Sequence, residues 1–350
     1  MRIEQLTFTR FIAAISIVVF HYGKGVALFY NEYTSFIFEQ ANVGVSYFFV
    51  LSGFVMIIAY REQFEISFFE FIKNRIARIY PVYLLAILLI LSINFFQNIN
   101  KFDLVLNLFM LQSWVSNKAL TLNFTGWSLS VELFFYVSFP FLFNFFYSKK
   151  HLKSITVWII SFFLISQIVF YLINNEVFEL IYLNIKDIRY YPLMHFNEFL
   201  VGNLAALYYL EKLEGCKKHY NFFVFMTLIF LIALLKYPFG LNYHNGLLAI
   251  VFVPMILFMS LSNNLFTKTI SKNIFVFLGE ISFSIYILQA PVWIILSDYR
   301  MNKYFNLNKE IHFTESFFIR LLVLILLSSV SFMFFEKPLR NRIKRIRTTY

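Results

Sequence analysis

The chain has 350 residues, of which 60% are hydrophobic and only 14% charged, with 49 phenylalanines. A soluble domain of this length covers its surface with far more charge, so the composition excludes one and points to an all-α polytopic membrane protein. The net charge of +11 needs no nucleic acid to explain it, because basic loops set the orientation of membrane helices. A single cysteine, Cys216, excludes an intramolecular disulfide framework and a Cys-rich metal site.

The first apolar run, TFTRFIAAISIVVFHYGKG, carries Arg10 and His21. No small-residue cleavage site follows it, so it reads as a retained helix. Eleven residues are about three turns, so both side chains share one face, roughly 16 Å apart along the axis. That is about half of a ~30 Å hydrocarbon core. Ionisable groups at such depth are costly and usually face a cavity. The expectation is one tunnel shared by the cation and the imidazole.

Ten spans are expected, near 8–29, 42–60, 79–97, 127–147, 154–173, 191–210, 220–238, 244–262, 274–296 and 316–336. The stretch LVLNLFMLQSWV (104–115) is too short to cross and reads as an interfacial or re-entrant helix, with Trp114 at headgroup level. Ten spans put both termini on one side. That side collects 19 Lys and Arg against 10 on the other, among them Arg2, Lys217, Lys218 and Arg347. The excess places both ends in the cytoplasm. No internal repeat and no linker for a second domain is visible. Residues 1–350 therefore read as one membrane domain, with no appended soluble module.

In the second span, Gly44, Ser46, Ser52 and Gly53 fit either close helix packing or a ligand that approaches the backbone. FIKNRIARIYP follows, with Arg75 and Arg78 three apart at the expected start of a membrane helix and Pro81 just after them. Such a pair either anchors on anionic headgroups or clamps phosphate bidentately. With Arg10 opening at the same face, phosphate becomes as good a reading as lipid. In GWSLSVE, Ser128 and Glu132 share a helical face. Glu132 serves a structural ion pair, or, if it lies near His21, orients that imidazole or takes a proton.

Further on, His195 and Glu198 are three apart, with Asn197, Gly202 and Asn203 completing a polar stripe. The other His/Glu pair at this spacing, His312 and Glu315, falls outside the expected spans, so no second pair faces the bundle interior, which argues against metal. Gln289 lies near mid-depth, while Glu280 and Glu336 stand where inner-surface arginines would pair with them. His151, His219, His244 and His312 fall in loops and take no role. Neither a phosphate-binding Gly loop, nor G-x-S-x-G, nor HExxH is present.

These stretches, in order, resemble the membrane acyltransferase 3 family of bacterial integral-membrane O-acyltransferases. The resemblance rests on Arg10 with His21, GVSYFFVLSGF, Arg75 and Arg78 before Pro81, GWSLSVE, EFLVGNLAA, LGEISFSIYIL and FEKPLR. It implies a ten-helix bundle in the bacterial inner membrane. Such a bundle takes an acyl group, most often acetyl, from cytoplasmic acyl-CoA and gives it to a hydroxyl of a saccharide or lipid-linked glycan at the outer face. On that reading His21 matches the essential histidine, Arg10 its partner, and Arg75 and Arg78 the R-x-x-R that meets the coenzyme. Trp127 and Glu132 match the W-S-L-x-x-E stretch. Trp127, Ser128, His195, Glu198 and Gln289 are the residues expected on the acceptor side. His195 stands where an arginine is expected, and Gln289 where relatives carry histidine. From the residues alone, a transporter or flippase of a polar or lipid-linked solute needs the same buried groups, and a catalytically dead sensor is a third reading.

Overall fold

The computed structural model describes residues 3–93, 99–176, 185–216, 219–307 and 312–345. Of the charge count above, Arg2, Lys217, Lys218 and Arg347 lie outside the described residues, as does the far end of the span expected at 79–97. The fold is a bundle of helices: α1 (Gln5–Tyr22), α2 (Gly44–Tyr60), α3 (Phe68–Ile93), α4 (Trp127–Phe141), α5 (Leu152–Asn174), α6 (Pro192–Tyr208), α7 (Asn221–Lys236), α8 (Ala249–Leu261), α9 (Asn273–Ile295), α10 (Phe313–Ser331) and a final α11 (Lys337–Arg345). Helices therefore stand at all ten expected spans. Seven of the bundle's helices, α1–α5, α9 and α10, are long and apolar enough to cross a bilayer. α2 and α4 reach that length with the turns that flank them, over Ala41–Tyr60 and Phe124–Tyr147, while the apolar helices α7 and α8, of 16 and 13 residues, are shorter.

Two boundaries differ from the expected ones for local reasons. α1 stops at Tyr22, where Gly23 leaves helical geometry (φ −94°, ψ 3°) and its N–H closes the last turn on the Val19 carbonyl. α3 begins at Phe68, not at 79, so Arg75 and Arg78 sit two to three turns inside it. Pro81 is an interior residue of that helix. Neighbouring helices tolerate a proline there by satisfying the freed backbone groups. The 104–115 stretch forms a helix over Lys101–Leu108, capped by the Asn100 side chain, and a 3-10 turn over Gln112–Trp114. Left-handed Met110 (φ 55) separates the two.

Cross-helix contacts fix the directions. Phe49 meets Trp127 and His195, while Phe54 meets Tyr209. So α2, α4 and α6 run together. α1 and α9 run the other way, with Thr7 against Gly279 and Tyr22 stacked on Trp293. One end of the bundle thus gathers residues 7, 60, 75, 209 and 279. The other gathers 22, 44, 127, 195 and 293. Three helices that reach the first of these ends, α4, α6 and α10, finish in π-helical turns, at Leu142–Tyr147, Tyr209–Leu213 and Phe332–Glu336.

The bundle is stapled where backbones touch. A Cβ on Gly53 would lie 2.1 Å from the Phe199 carbonyl, and one on Gly202 would lie 2.0 Å from the Val50 carbonyl. Of the two readings of Gly53, the close-packing one describes its environment, because it faces α6. Gly202→Val should push α2 and α6 apart and destabilise the protein by about 3 kcal/mol. Thermal unfolding in detergent checks this; an unchanged midpoint would contradict the packing account.

Candidate functional site

A cavity of about 370 Å³ runs between α1, α2, α3, α4 and α9. Its wall holds Arg10, Arg75, Arg78, Glu132, Glu280, Glu336 and Arg340, with Ser52, Ser128, Tyr136 and Tyr286. Each reaches it for a local reason. Arg75 and Arg78 are i, i+3 on α3, Glu132 and Tyr136 are i, i+4 on α4, and Glu336 and Arg340 are i, i+4 across the last π turn.

The arginines of α3 carry the site's electrostatics. The Arg75 guanidinium lies over the rings of Phe71, Tyr60 and Tyr136 at 5.0, 5.5 and 5.9 Å. Such faces attract a cation and leave its N–H edge free for an anion. Its Nε is buried with no hydrogen-bond partner. Among the described residues, neither Arg75 nor Arg78 is within ion-pair distance of a carboxylate. Two such cations in an apolar bundle make a site that favours an anion.

The carboxylates have other partners. Glu132 accepts from Tyr136 Oη and, at 3.4 Å, from Ser52 Oγ. These two contacts, and none to His21, are the ones Glu132 makes among the described residues, with the carboxylate turned along α4 towards Tyr136. Glu336 is buried and accepts from Ser284 and Ser331 Oγ, the latter at 3.1 Å. The expected pairing with an arginine is replaced by these hydroxyls. Glu280 stands in the cavity wall.

His21 is at the opposite end of α1 and is not part of this wall. Its half-buried ring packs against Phe124 at 4.7 Å and Phe20 at 4.9 Å. The single tunnel expected from the sequence is therefore not continuous here. The lining residues towards the His21 end of the bundle are Val45, Phe48, Ser128 and Tyr286. Among the residues expected on the acceptor side, Ser128 lines the cavity and donates to the Thr125 carbonyl. Gln289 is buried and donates to the Tyr286 carbonyl, with its own oxygen unpartnered among the described residues.

Trp127, His195 and Glu198 form a separate buried cluster beside Phe49. His195 Nδ1 is 2.8 Å from Glu198 Oε2, and Nε2 is 2.8 Å from the Arg189 carbonyl. With acceptors at both ring nitrogens, the pair must hold a proton on each side of the ring. His244, given no role from the sequence, belongs here too: its ring is 5.7 Å from those of Trp127, His195 and Tyr190. Only tertiary contact reveals it, because it lies in a loop. Tyr136 was findable from its four-residue spacing to Glu132. Among the described residues no group of three or more His, Cys, Asp or Glu is arranged to hold a metal.

An all-helical integral-membrane bundle with an internal, cation-bearing cavity is the class these features define. The chain belongs to the acyltransferase 3 family, whose model, an acyltransferase domain, matches residues 3–335. It is similar to the acyltransferase MdmB of Streptomyces mycarofaciens, 30% identical over 158 residues, 40% of this chain and 39% of that protein. It is also similar to the O-acetyltransferase OatA of Staphylococcus aureus, 23% identical over 334 residues, 86% of this chain and 53% of that protein. The chain thus spans about half the length, or less, of these curated relatives. No solved structure matches it.

Glu198→Ala would leave His195 Nδ1 facing an apolar void. It should cost about 1–3 kcal/mol, the penalty of a buried polar group without its partner. The midpoint of thermal unfolding measures it, and a Glu198→Ala midpoint equal to that of the parent would contradict a structural ion pair.

Proposed function

We propose that this chain is an O-acyltransferase that moves an acyl group, most simply acetyl, from cytoplasmic acyl-CoA to a hydroxyl. The acceptor is a saccharide or lipid-linked glycan at the outer face of the bacterial inner membrane. The observation that carries this reading is the pair Arg75 and Arg78, guanidiniums in the wall of a cavity towards the end of the bundle where α1 begins, with no ion-pair partner among the described residues. Family membership and the relatives' names supply the reaction class. The excess of basic residues on the termini side supports a cytoplasmic donor.

The donor's phosphates rest on Arg75 and Arg78, with Arg10 further along the wall. The pantetheine arm runs between α2 and α4, past Ser52 and Glu132, towards Ser128 and Tyr286. There the thioester approaches the far half of the bundle, where His21 stands. His21 takes the proton of the acceptor hydroxyl as its oxygen attacks the thioester carbonyl. The carbon–sulfur bond breaks, and the coenzyme leaves as a thiolate that regains a proton. For base and thioester to meet, the layer of Phe48, Ser128 and Tyr286 must part. Opening of that layer is a conformational step of the kind that often limits turnover. Trp127, with His195 and Glu198 behind it and Gln289 beside Tyr286, shapes the acceptor side.

Purified protein in nanodiscs, given labelled acetyl-CoA and a saccharide acceptor, should transfer label. His21→Ala should lower that rate by about 10²–10⁴-fold, the usual worth of a positioned base, while the protein stays folded. Replacing both Arg75 and Arg78 by alanine should raise the donor KM by roughly ten-fold or more. Label transfer unaffected by His21→Ala would contradict the base, and solute movement without transfer would identify a carrier instead.

A further inference from the structure

The cavity is small for the donor it is proposed to take. At about 370 Å³ it sits near the lower end of the ~300–1,000 Å³ range of ligand pockets. That volume suits an acyl-pantetheine arm and one phosphate group, not a whole nucleotide-bearing thioester. The nucleotide end must lie outside the cavity mouth, so the mouth's composition decides what holds it.

The mouth is bordered by α11. This helix packs along α3, the helix of Arg75 and Arg78, and Arg340 projects from it into the cavity wall. Its nine residues include Lys337, Arg340, Arg342, Lys344 and Arg345 and no acid. Among the described residues none of the five is in an ion pair. Lys337, Arg340 and Lys344 fall at i, i+3 and i+7, on one face. Lys344, exposed, is within electrostatic reach of Arg340, Arg75 and Arg78. The π turn at Phe332–Glu336, held by Glu336 on Ser284 and Ser331, sets the direction in which α11 leaves α10.

We infer that Arg340, in the cavity wall, and Lys344, one turn further along α11, form a second phosphate subsite at the cavity mouth that binds the nucleotide end of the coenzyme A donor. This rests on the acyl-CoA reading above and extends it. Arg75 and Arg78 take the phosphate nearest the arm. α11 takes the more distant phosphates, so donor length is read along one continuous strip of positive charge.

The test compares acetyl-CoA with acetyl-phosphopantetheine, which lacks the nucleotide, in nanodiscs of neutral lipid. The parent protein should prefer acetyl-CoA in kcat/KM by roughly a hundred-fold. Arg340→Ala with Lys344→Ala should narrow that preference to below about ten-fold through KM, with kcat little changed. Arg340→Lys, which keeps the charge, should retain most of it. Lys344→Ala alone changes an exposed side chain and serves if the double variant does not fold; it too should narrow the preference. Transfer from both donors with an unaltered ratio would overturn the subsite while leaving the donor reading intact. No transfer from either donor to the parent protein would overturn both. A ratio that changes only when anionic lipid is added would assign α11 to headgroups and overturn the subsite.

Discussion

The structure turns on a single electrostatic imbalance: two guanidiniums held inside an apolar bundle with no carboxylate, among the described residues, within ion-pair distance of either. Burying a cation in low dielectric is costly, and proteins do it where a charged partner is supplied or where an anion is meant to come. The fold keeps Arg75 in place with aromatic faces, which attract a cation without quenching its hydrogen-bonding edge. Two of the three acids in the wall are held by hydroxyls: Tyr136 and Ser52 hold Glu132, and Ser284 and Ser331 hold Glu336. Positive charge is thereby left available in a cavity that also contains carboxylates.

That arrangement needs close, rigid helix packing around it. Gly53 and Gly202 bring α2 and α6 into backbone contact, and Gly279 does the same for α1 and α9 against the Thr7 carbonyl. Small residues at these crossings let helices associate in a medium where burial of apolar surface gives little drive. With the flanking helices fixed, the space left between α1, α2, α3, α4 and α9 is a cavity that side chains do not fill. The second polar group, His195 with Glu198 and His244 around Trp127, closes the far half of the bundle. Function, on this account, depends on coupling the two halves, because His21 belongs to the far half and the arginines to the near one.

Much of this was legible in the sequence. Hydrophobic runs gave the helices, and helical spacing predicted that Arg75 and Arg78 share a face and that Ser128 sits on one face with Glu132. What the sequence could not reveal is which face of each helix its neighbours cover. Arg10 and His21 share a face of α1, yet only Arg10 reaches the cavity, because α1 meets different partners at its two ends. Glu132 looked like a candidate to orient His21, but its own i+4 tyrosine claims it. His244 carried no local signal at all, since a loop histidine joins this cluster only through tertiary contact with Trp127, Tyr190 and His195. Pro81 resembles a helix start, yet α3 runs straight through it and begins at Phe68, about three turns before the expected start at 79.

The most direct test of the central claim is an experimental structure of the protein in lipid with a non-hydrolysable acetyl-CoA analogue bound. The account predicts phosphate density against Arg75 and Arg78, with the pantetheine arm rising between α2 and α4 towards Ser128. Density for the analogue elsewhere on the protein, with a lipid chain filling the cavity between those helices, would contradict it.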